Sequence, residues 1–378
     1  MSGRVQQVGV WRVPCSGPGD LGGVKALIAS GELVPRDIVA VMGKTEGNGC
    51  VNDFTREYAA AAWCQLLAPA LDCTPDAVHQ RMALVMSGGT EGVLSPHFTV
   101  FTRRWVDGAG QAPGGKRLAV GVAHTRDFLP EEIGRAAQID ATADAVAEAM
   151  RDAGIDSAAD VHFVQVKCPL LTSAKVSAAL ARGASPATHD SYESMGYSRG
   201  ASALGVAAAL GEVARERVTD ASVLNDWSLF SARASASAGI ELEGNVVIVL
   251  GQALASASPY RIAHTVMRDA IDAASVRALL REALGNDEDE GAERLVNLLA
   301  KAEASPDGRV RGTRHTMLND SDIHSTRHAR AVVGGVLASL AGHTALYVSG
   351  GAEHQGPAGG GPVAAIVRID DAEEGRTP

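Results

Sequence analysis

Three stretches of the chain share one order of apolar and polar positions. DIVAVMGK, ending at Lys44, DVHFVQVK, ending at Lys167, and RLVNLLAK, ending at Lys301, are apolar runs of strand length closed by a lysine. The third reads equally well as helix, because a short apolar run does not separate the two states by periodicity. Each run is followed by an arginine that opens an alanine-rich segment of helical character: Thr55-Arg56-Glu57-Tyr58-Ala59-Ala60, Ser198-Arg199-Gly200-Ala201 and Thr326-Arg327-His328-Ala329. Each then reaches a short motif, S-[GA]-G-x-E, at Ser87 to Glu91, Ser237 to Glu241 and Ser349 to Glu353. The order lysine, arginine, serine thus occurs three times.

Lysine and serine are 43, 70 and 48 residues apart, so the repeat is a supersecondary unit with insertions and not a short-period solenoid. Within a unit, strands alternate with alanine-rich helical patterns, for example Thr142 to Ala153 and Ala201 to Arg217. Gly/Pro-rich or small-residue stretches at Asp107 to Gly115 and Gly251 to Pro259 are candidate linkers. They divide the chain into units at 1–104, 113–250 and 256–378. The expected architecture is α/β, with three homologous repeat units in pseudo-threefold symmetry around a single central active site. Asn286 to Glu290 (NDEDE) reads as a solvated loop.

Composition narrows the function classes. Of 378 residues, 46% are hydrophobic and 21% charged, which is a globular composition. The net charge of −10, the absence of a basic block and the scarcity of aromatic residues disfavour nucleic acid as a partner. Five cysteines with no C-x-x-C pair argue against a disulfide framework or a cysteine zinc site. No signal-peptide core and no apolar run of membrane-spanning length is present, so the expectation is a cytoplasmic enzyme with no membrane partner.

Familiar motifs fail on spacing. Gly43-Lys44-Thr45 resembles the end of a phosphate loop, but Ile38 stands where that loop needs glycine. The residues before Ser87 lack the first glycine of G-x-S-x-G. His324 and His328 lie four apart near Asp320 and Asp322 and could bind a metal, though solvated or capping histidines are the commoner outcome. Taken singly, each S-[GA]-G-x-E reads as a strand-to-helix turn with serine as N-cap. Recurrence after a lysine and an arginine instead points to a shared site, because a fold can repeat its turns without repeating a lysine that is costly to bury.

Three such units would gather Lys44, Lys167 and Lys301. Repulsion and desolvation would lower at least one ammonium pKa, making a base that can activate a serine hydroxyl. Small residues after each serine let backbone approach a carbonyl, and the arginines add fixed positive donors. The implied ligand is small, carbonyl-rich and close to threefold symmetric.

The strings VMGKTEGNGCVNDFTREYA, VMSGGTEGVLSPH, HFVQVKCPLLT, ESMGYSRGASALG, NDWSLFSARASASAGIEL and YVSGGAEHQGPAGGGP resemble the ring-opening amidohydrolases, the cyanuric acid hydrolase and barbiturase family. The resemblance spans about Val13 to Pro362. It implies three repeats around one site, a Ser-Lys pair from each, and a planar cyclic imide between them. On this resemblance the nucleophile falls on Ser237 and its base on Lys167, with Lys44 and Lys301 in supporting dyads. Substrate-binding groups fall on Arg56, Ser87, Gly88, Arg199, Ala238, Arg327, Ser349 and Gly350. The resemblance further implies no organic cofactor, a homotetramer, and a structural magnesium ion at Glu303, Ala352, Gln355, Gly356, Pro357 and Gly360. The activity implied is hydrolysis of cyanuric acid to carboxybiuret and then biuret. Opening of barbituric acid and non-catalytic binding of cyclic imides are the alternatives. Symmetry alone does not rank the three serines.

Overall fold

In the computed structural model, which describes residues 4–107, 115–285 and 293–369, every apolar run that ends in lysine is a strand. The first group of elements is β1 (Arg4–Pro14), α1 (Gly22–Ala29), β2 (Ile38–Thr45), α2 (Phe54–Leu71), β3 (Ala83–Gly88) and β4 (His97–Asp107). The second is β5 (Arg117–His124), α3 (Ala136–Asp152), β6 (Val161–Cys168), α4 (Ser173–Ala181), α5 (Ser191–Ala209), β7 (Ala234–Ala238) and β8 (Val246–Ala253). The third is β9 (Tyr260–Met267), α6 (Ala273–Leu284), β10 (Leu295–Ala302), a small hairpin β11 (Arg309–Val310) and β12 (Thr313–Arg314), α7 (Ser325–Ala341), β13 (Tyr347–Gly350) and β14 (Gly361–Arg368). The fold is mixed α/β. The acidic run 286–290 and residues 108–114 of the first candidate linker lie outside the described residues.

Three four-stranded sheets carry the same order: β1-β4-β2-β3, β5-β8-β6-β7 and β9-β14-β10-β13. Each has two antiparallel ladders and one parallel ladder, β2 with β3, β6 with β7, and β10 with β13. Parallel neighbours need a long crossover, here helical, which accounts for the wide lysine-to-serine spacing. The lysine strands also share a register shift, at Ile38/Ala40, Val161/Phe163 and Leu295/Asn297. Beyond that bulge the lysine sits directly opposite the serine of its parallel partner: Lys44 with Ser87, Lys167 with Ser237, Lys301 with Ser349.

Each sheet is covered on both faces, which is why its strands read as near-continuous apolar runs. One face packs on its own helices: Trp63 and Leu67 of α2 meet Val41 and Phe98, Val146 of α3 meets Val164, and Val333 and Leu337 of α7 meet Leu298 and Val348. The other faces meet one another in a shared core containing Val10, Phe101, Val120, Phe163, Ile262, Tyr347 and Ile366. RLVNLLAK is resolved as strand because β10 lies between β13 and β14 within its sheet. The helix expected over Ala201 to Arg217 runs instead over Ser191–Ala209, ending where Gly211 turns to φ 68°, and the chain resumes as a single 3-10 turn at Arg215–Arg217. The second candidate linker is a corner tied to the core, with Leu254, Ala257 and Pro259 exposed and Ser256 and Ser258 buried. Gly251 to Ala253 belong to β8, and the Ser256 and Ser258 hydroxyls donate to Leu118 O and Val8 O at 2.6 and 3.2 Å. Among the described residues no helix is long and apolar enough to cross a membrane.

Candidate active site

The ends of β3, β7 and β13 converge on one small cavity. It is lined by Ser87, Gly88, Ser237, Ala238, Ser349 and Gly350 from those strands, by Lys167, and by Arg56, Arg199 and Arg330, with Gly49 and Met195. The serines end strands and no helix follows them directly, so the N-cap reading of the S-[GA]-G-x-E motif does not apply. Lys44 Nζ donates to Ser87 Oγ at 3.2 Å and Lys301 Nζ to Ser349 Oγ at 3.2 Å. Each lysine also donates to the carbonyl one residue after its serine: Gly88 O at 3.2 Å, Ala238 O at 3.4 Å and Gly350 O at 2.9 Å. Lys167 and Lys301 reach further, to Met86 O at 2.7 Å and Ala236 O at 2.8 Å, the carbonyls just before Ser87 and Ser237. Lys167 and Lys301 therefore stitch neighbouring sheets together.

Ser237 stands apart from the other two serines. Ser87 and Ser349 share a hydrogen bond of 3.3 Å besides their lysine contacts, whereas the buried Ser237 Oγ has no hydrogen-bond partner. Buried hydroxyls are ordinarily paired, and an orphan calls for an explanation. A second orphan, Arg56 Nε, lies in the same wall.

Arginines and motif glutamates interlock between sheets. Arg199 of α5 grips Glu353 with two bonds of 2.7 and 2.6 Å, and Arg330 of α7 grips Glu91 in the same two-pronged way, with Nε at 2.7 Å. Arg56 of α2 faces Glu241 at 4.0 Å. The third arginine on the cavity is thus Arg330, and the expectation for Arg327 is corrected. Arg327 lies one turn earlier on α7, its side chain is 40% exposed, and it reaches Glu91 only from outside at 3.3 Å. The helical phase carries the signal that a motif match missed. From Arg330 the positions i+3, i+4 and i+7 are Val333, Gly334 and Leu337, all buried, as Ala59, Ala60 and Trp63 are from Arg56. Glycine is required where the guanidinium crosses the motif. Gly351, at φ 76°, would place a Cβ 2.5 Å from Arg199 Nε.

Burial depresses all three lysines. Lys301 is pushed down to about 7 by burial and then by Arg199. Lys44 lies well below its ordinary value through burial and Arg330, with Lys301 a lesser contributor. Lys167 is lowered to about 8 by burial, opposed by Glu241 and reinforced by Arg56. Lysine-lysine repulsion is therefore minor beside desolvation and the guanidinium groups.

The glycine-rich tail closes the third sheet beside this site. Glu303 accepts from Ala304 N at 2.9 Å and Ala352 N at 3.2 Å, and burial plus the Glu353 charge push its carboxyl up to about 6. Ala352 O and Pro357 O lie in tight turns, accepting from Gln355 N and Gly360 N at 2.9 Å. Gln355 spends its side-chain oxygen on Ala236 N at 2.7 Å, so only its backbone oxygen could serve a metal. Glu303 lines a cavity with Ala352, Gly356 and Gly359, and a carboxylate beside such backbone oxygens is a donor set that fits a hard cation. Among the described residues no three His, Cys, Asp or Glu side chains gather to hold a metal. His324 caps α7 and contacts Tyr192, while His328 pairs with Asp320 at 2.9 Å.

The model of a family described as amidohydrolase ring-opening proteins matches residues 9–368. The chain belongs to the ring-opening amidohydrolase family. A cyanuric acid amidohydrolase of Bradyrhizobium diazoefficiens is 64% identical over 97% of this chain and 100% of its own length. One from Pseudomonas sp. strain ADP is 64% identical over 96% and 99%. A solved cyanuric acid hydrolase, described as an evolutionary innovation by structural concatenation, superposes with a TM-score of 0.93 at 63% identity, covering 97% of this chain and 100% of that one. This ring-opening amidohydrolase is accordingly an enzyme that hydrolyses carbon-nitrogen bonds of cyclic amides.

Proposed function

We propose that this ring-opening amidohydrolase acts on cyanuric acid, with Ser237 as nucleophile and Lys167 as its base. The observation that carries the reading is the Ser237 hydroxyl: buried, unpaired and opposite Lys167, in a wall where the other two serines are already bonded. The units 1–104, 113–250 and 256–378 act in this proposal as three copies around one axis, a view supported by their matched strand order, bulge and lysine-serine register. Cyanuric acid alternates three carbonyls with three N–H groups, so each serine and arginine set meets one carbonyl.

Neutral Lys167 takes the Ser237 proton as Oγ bonds to a ring carbonyl carbon, and Arg56 offers its unpaired Nε–H to the oxygen that gains charge. The adjacent ring C–N bond breaks, and its nitrogen takes the proton from the Lys167 ammonium. Water, deprotonated by the same lysine, bonds to the acyl carbon, the Ser237 Oγ–C bond breaks, and the Lys167 ammonium returns its proton to Oγ, releasing 1-carboxybiuret, which loses carbon dioxide to leave biuret. A magnesium ion held by Glu303 and the oxygens of Ala352, Gln355, Gly356, Pro357 and Gly360 would supply positive charge to the buried acid and fasten the tail. A homotetramer is part of the same proposal, on the family resemblance.

Incubation with cyanuric acid and with barbituric acid, followed by mass spectrometry and initial rates, tests the substrate. The expected result is biuret formation, with kcat/KM for cyanuric acid higher by at least about tenfold. A preference for barbituric acid, or recovery of both rings intact at high enzyme concentration, would overturn it.

A further inference from the structure

The three motif glutamates are equivalent in sequence and not in structure. Glu91 and Glu353 are each committed to a guanidinium by two short bonds, and both carboxyls stay below the usual range because, although burial would raise them, that partner more than offsets it. Glu241 has turned away from its arginine. It is 4.0 Å from Arg56 Nε, which is left orphaned, and 3.4 Å from Lys167 Nζ. The backbone turn differs in step. Gly89 and Gly351 have φ of 102° and 76° and lie against arginine, whereas Gly239 is outside the left-handed region and lies against the Glu241 carboxylate itself. The divergence falls in the unit whose serine hydroxyl is unpaired.

We propose that Glu241 is a positioning residue that completes a Ser237–Lys167–Glu241 triad, holding the Lys167 ammonium that forms when Ser237 gives up its proton. This rests on the reading of Ser237 and Lys167 given above. A base oriented by a third, charged group is the general logic of serine triads, in which the carboxylate stabilises the protonated base and keeps its own proton off. Glu241 suits that role: its carboxyl is held below the usual range, since Lys167 and Arg56 outweigh the effect of burial, and a 20% exposed side chain keeps part of its hydration. The groups facing Lys167 are Glu241, Arg56 and the Cys168 thiol, with Arg199 and Arg330 on the same cavity, and those facing Glu241 are Lys167, Arg56 and His79. The sign follows. A negative neighbour favours the ammonium, so its loss lowers the Lys167 pKa and the neutral base persists to lower pH.

The test is the pH profile of kcat/KM and kcat for Glu241→Gln, Glu241→Asp and, as a comparator, Glu91→Gln. Wild-type activity rises with pH through a limb near the Lys167 value of about 8. In Glu241→Gln that limb moves down by at least about one pH unit, and the plateau kcat falls at least about tenfold while KM changes less. Glu241→Asp restores the limb toward the wild-type position, and Glu91→Gln leaves its position in place. A Glu241→Gln limb that superposes on wild type, or a wild-type profile flat around pH 8, overturns the triad. If Ser237→Ala is inactive while the limb fails to move, this inference alone is wrong; if Ser237→Ala still turns over, the reading beneath it has failed.

Discussion

Arg327 and Arg330 are one turn apart on α7, and their surroundings assign them different work. Arg330 is buried and shares two bonds with Glu91, whereas Arg327 is half-exposed with a single long contact. Removing one partner of a buried pair leaves an uncompensated charge and costs about 3–5 kcal/mol, while an exposed pair is worth about 0–1 kcal/mol. Denaturant unfolding with kcat/KM is therefore expected to separate them: Arg330→Ala loses stability on that scale together with activity, and Arg327→Ala changes both little. Arg330→Lys, which keeps the charge and loses the fork, is expected to fold with reduced kcat/KM. Thr326-Arg327 repeats the Thr55-Arg56 pair in sequence, yet the arginine on the cavity lies one turn later. The helical phase held the answer, because only from Arg330 do the following buried positions fall in line. The three strand-end lysines were legible for a better reason: a lysine closing an apolar strand is expensive, and three of them demand a use.

Among the elements, the bulged lysine strand is the repeated device. It sets lysine opposite serine in all three parallel ladders; the apolar pattern marked the first two as strands, while the third reads equally as helix without its partners. The bulge itself was not readable, since register depends on partners that lie far along the chain. The glycine-rich tail is the other telling element. Its turns include His354 at φ 58°, Gly356 at 90° and Gly359 at 81°, and Gly356 and Gly359 line one cavity with Glu303. If a magnesium ion fastens this tail, chelation should lower Tm by about 4 °C or more, with recovery on adding magnesium, while kcat per folded enzyme stays within about twofold. Glu303→Ala should behave as the chelated enzyme does. Turnover lost at unchanged Tm would assign the ion to the chemistry instead.

The whole molecule buries three sheets against one another and leaves the working groups where their strand ends meet. Sequence repetition marked the lysine strands and the serine motifs that the structure brings to one cavity, but it could not mark which set departs from the pattern. That departure lies in side-chain pairing and in the turn that carries it: Ser237 unpaired, Arg56 Nε without a hydrogen bond, and Glu241 drawn to Lys167. The measurement that bears most directly on this account is turnover of cyanuric acid by Ser237→Ala, with Ser87→Ala and Ser349→Ala beside it and folding verified by circular dichroism. The account predicts that Ser237→Ala loses at least about a thousandfold in kcat with its fold intact, and that no acyl group can be trapped on it. Turnover by Ser237→Ala within about tenfold of wild type would contradict it.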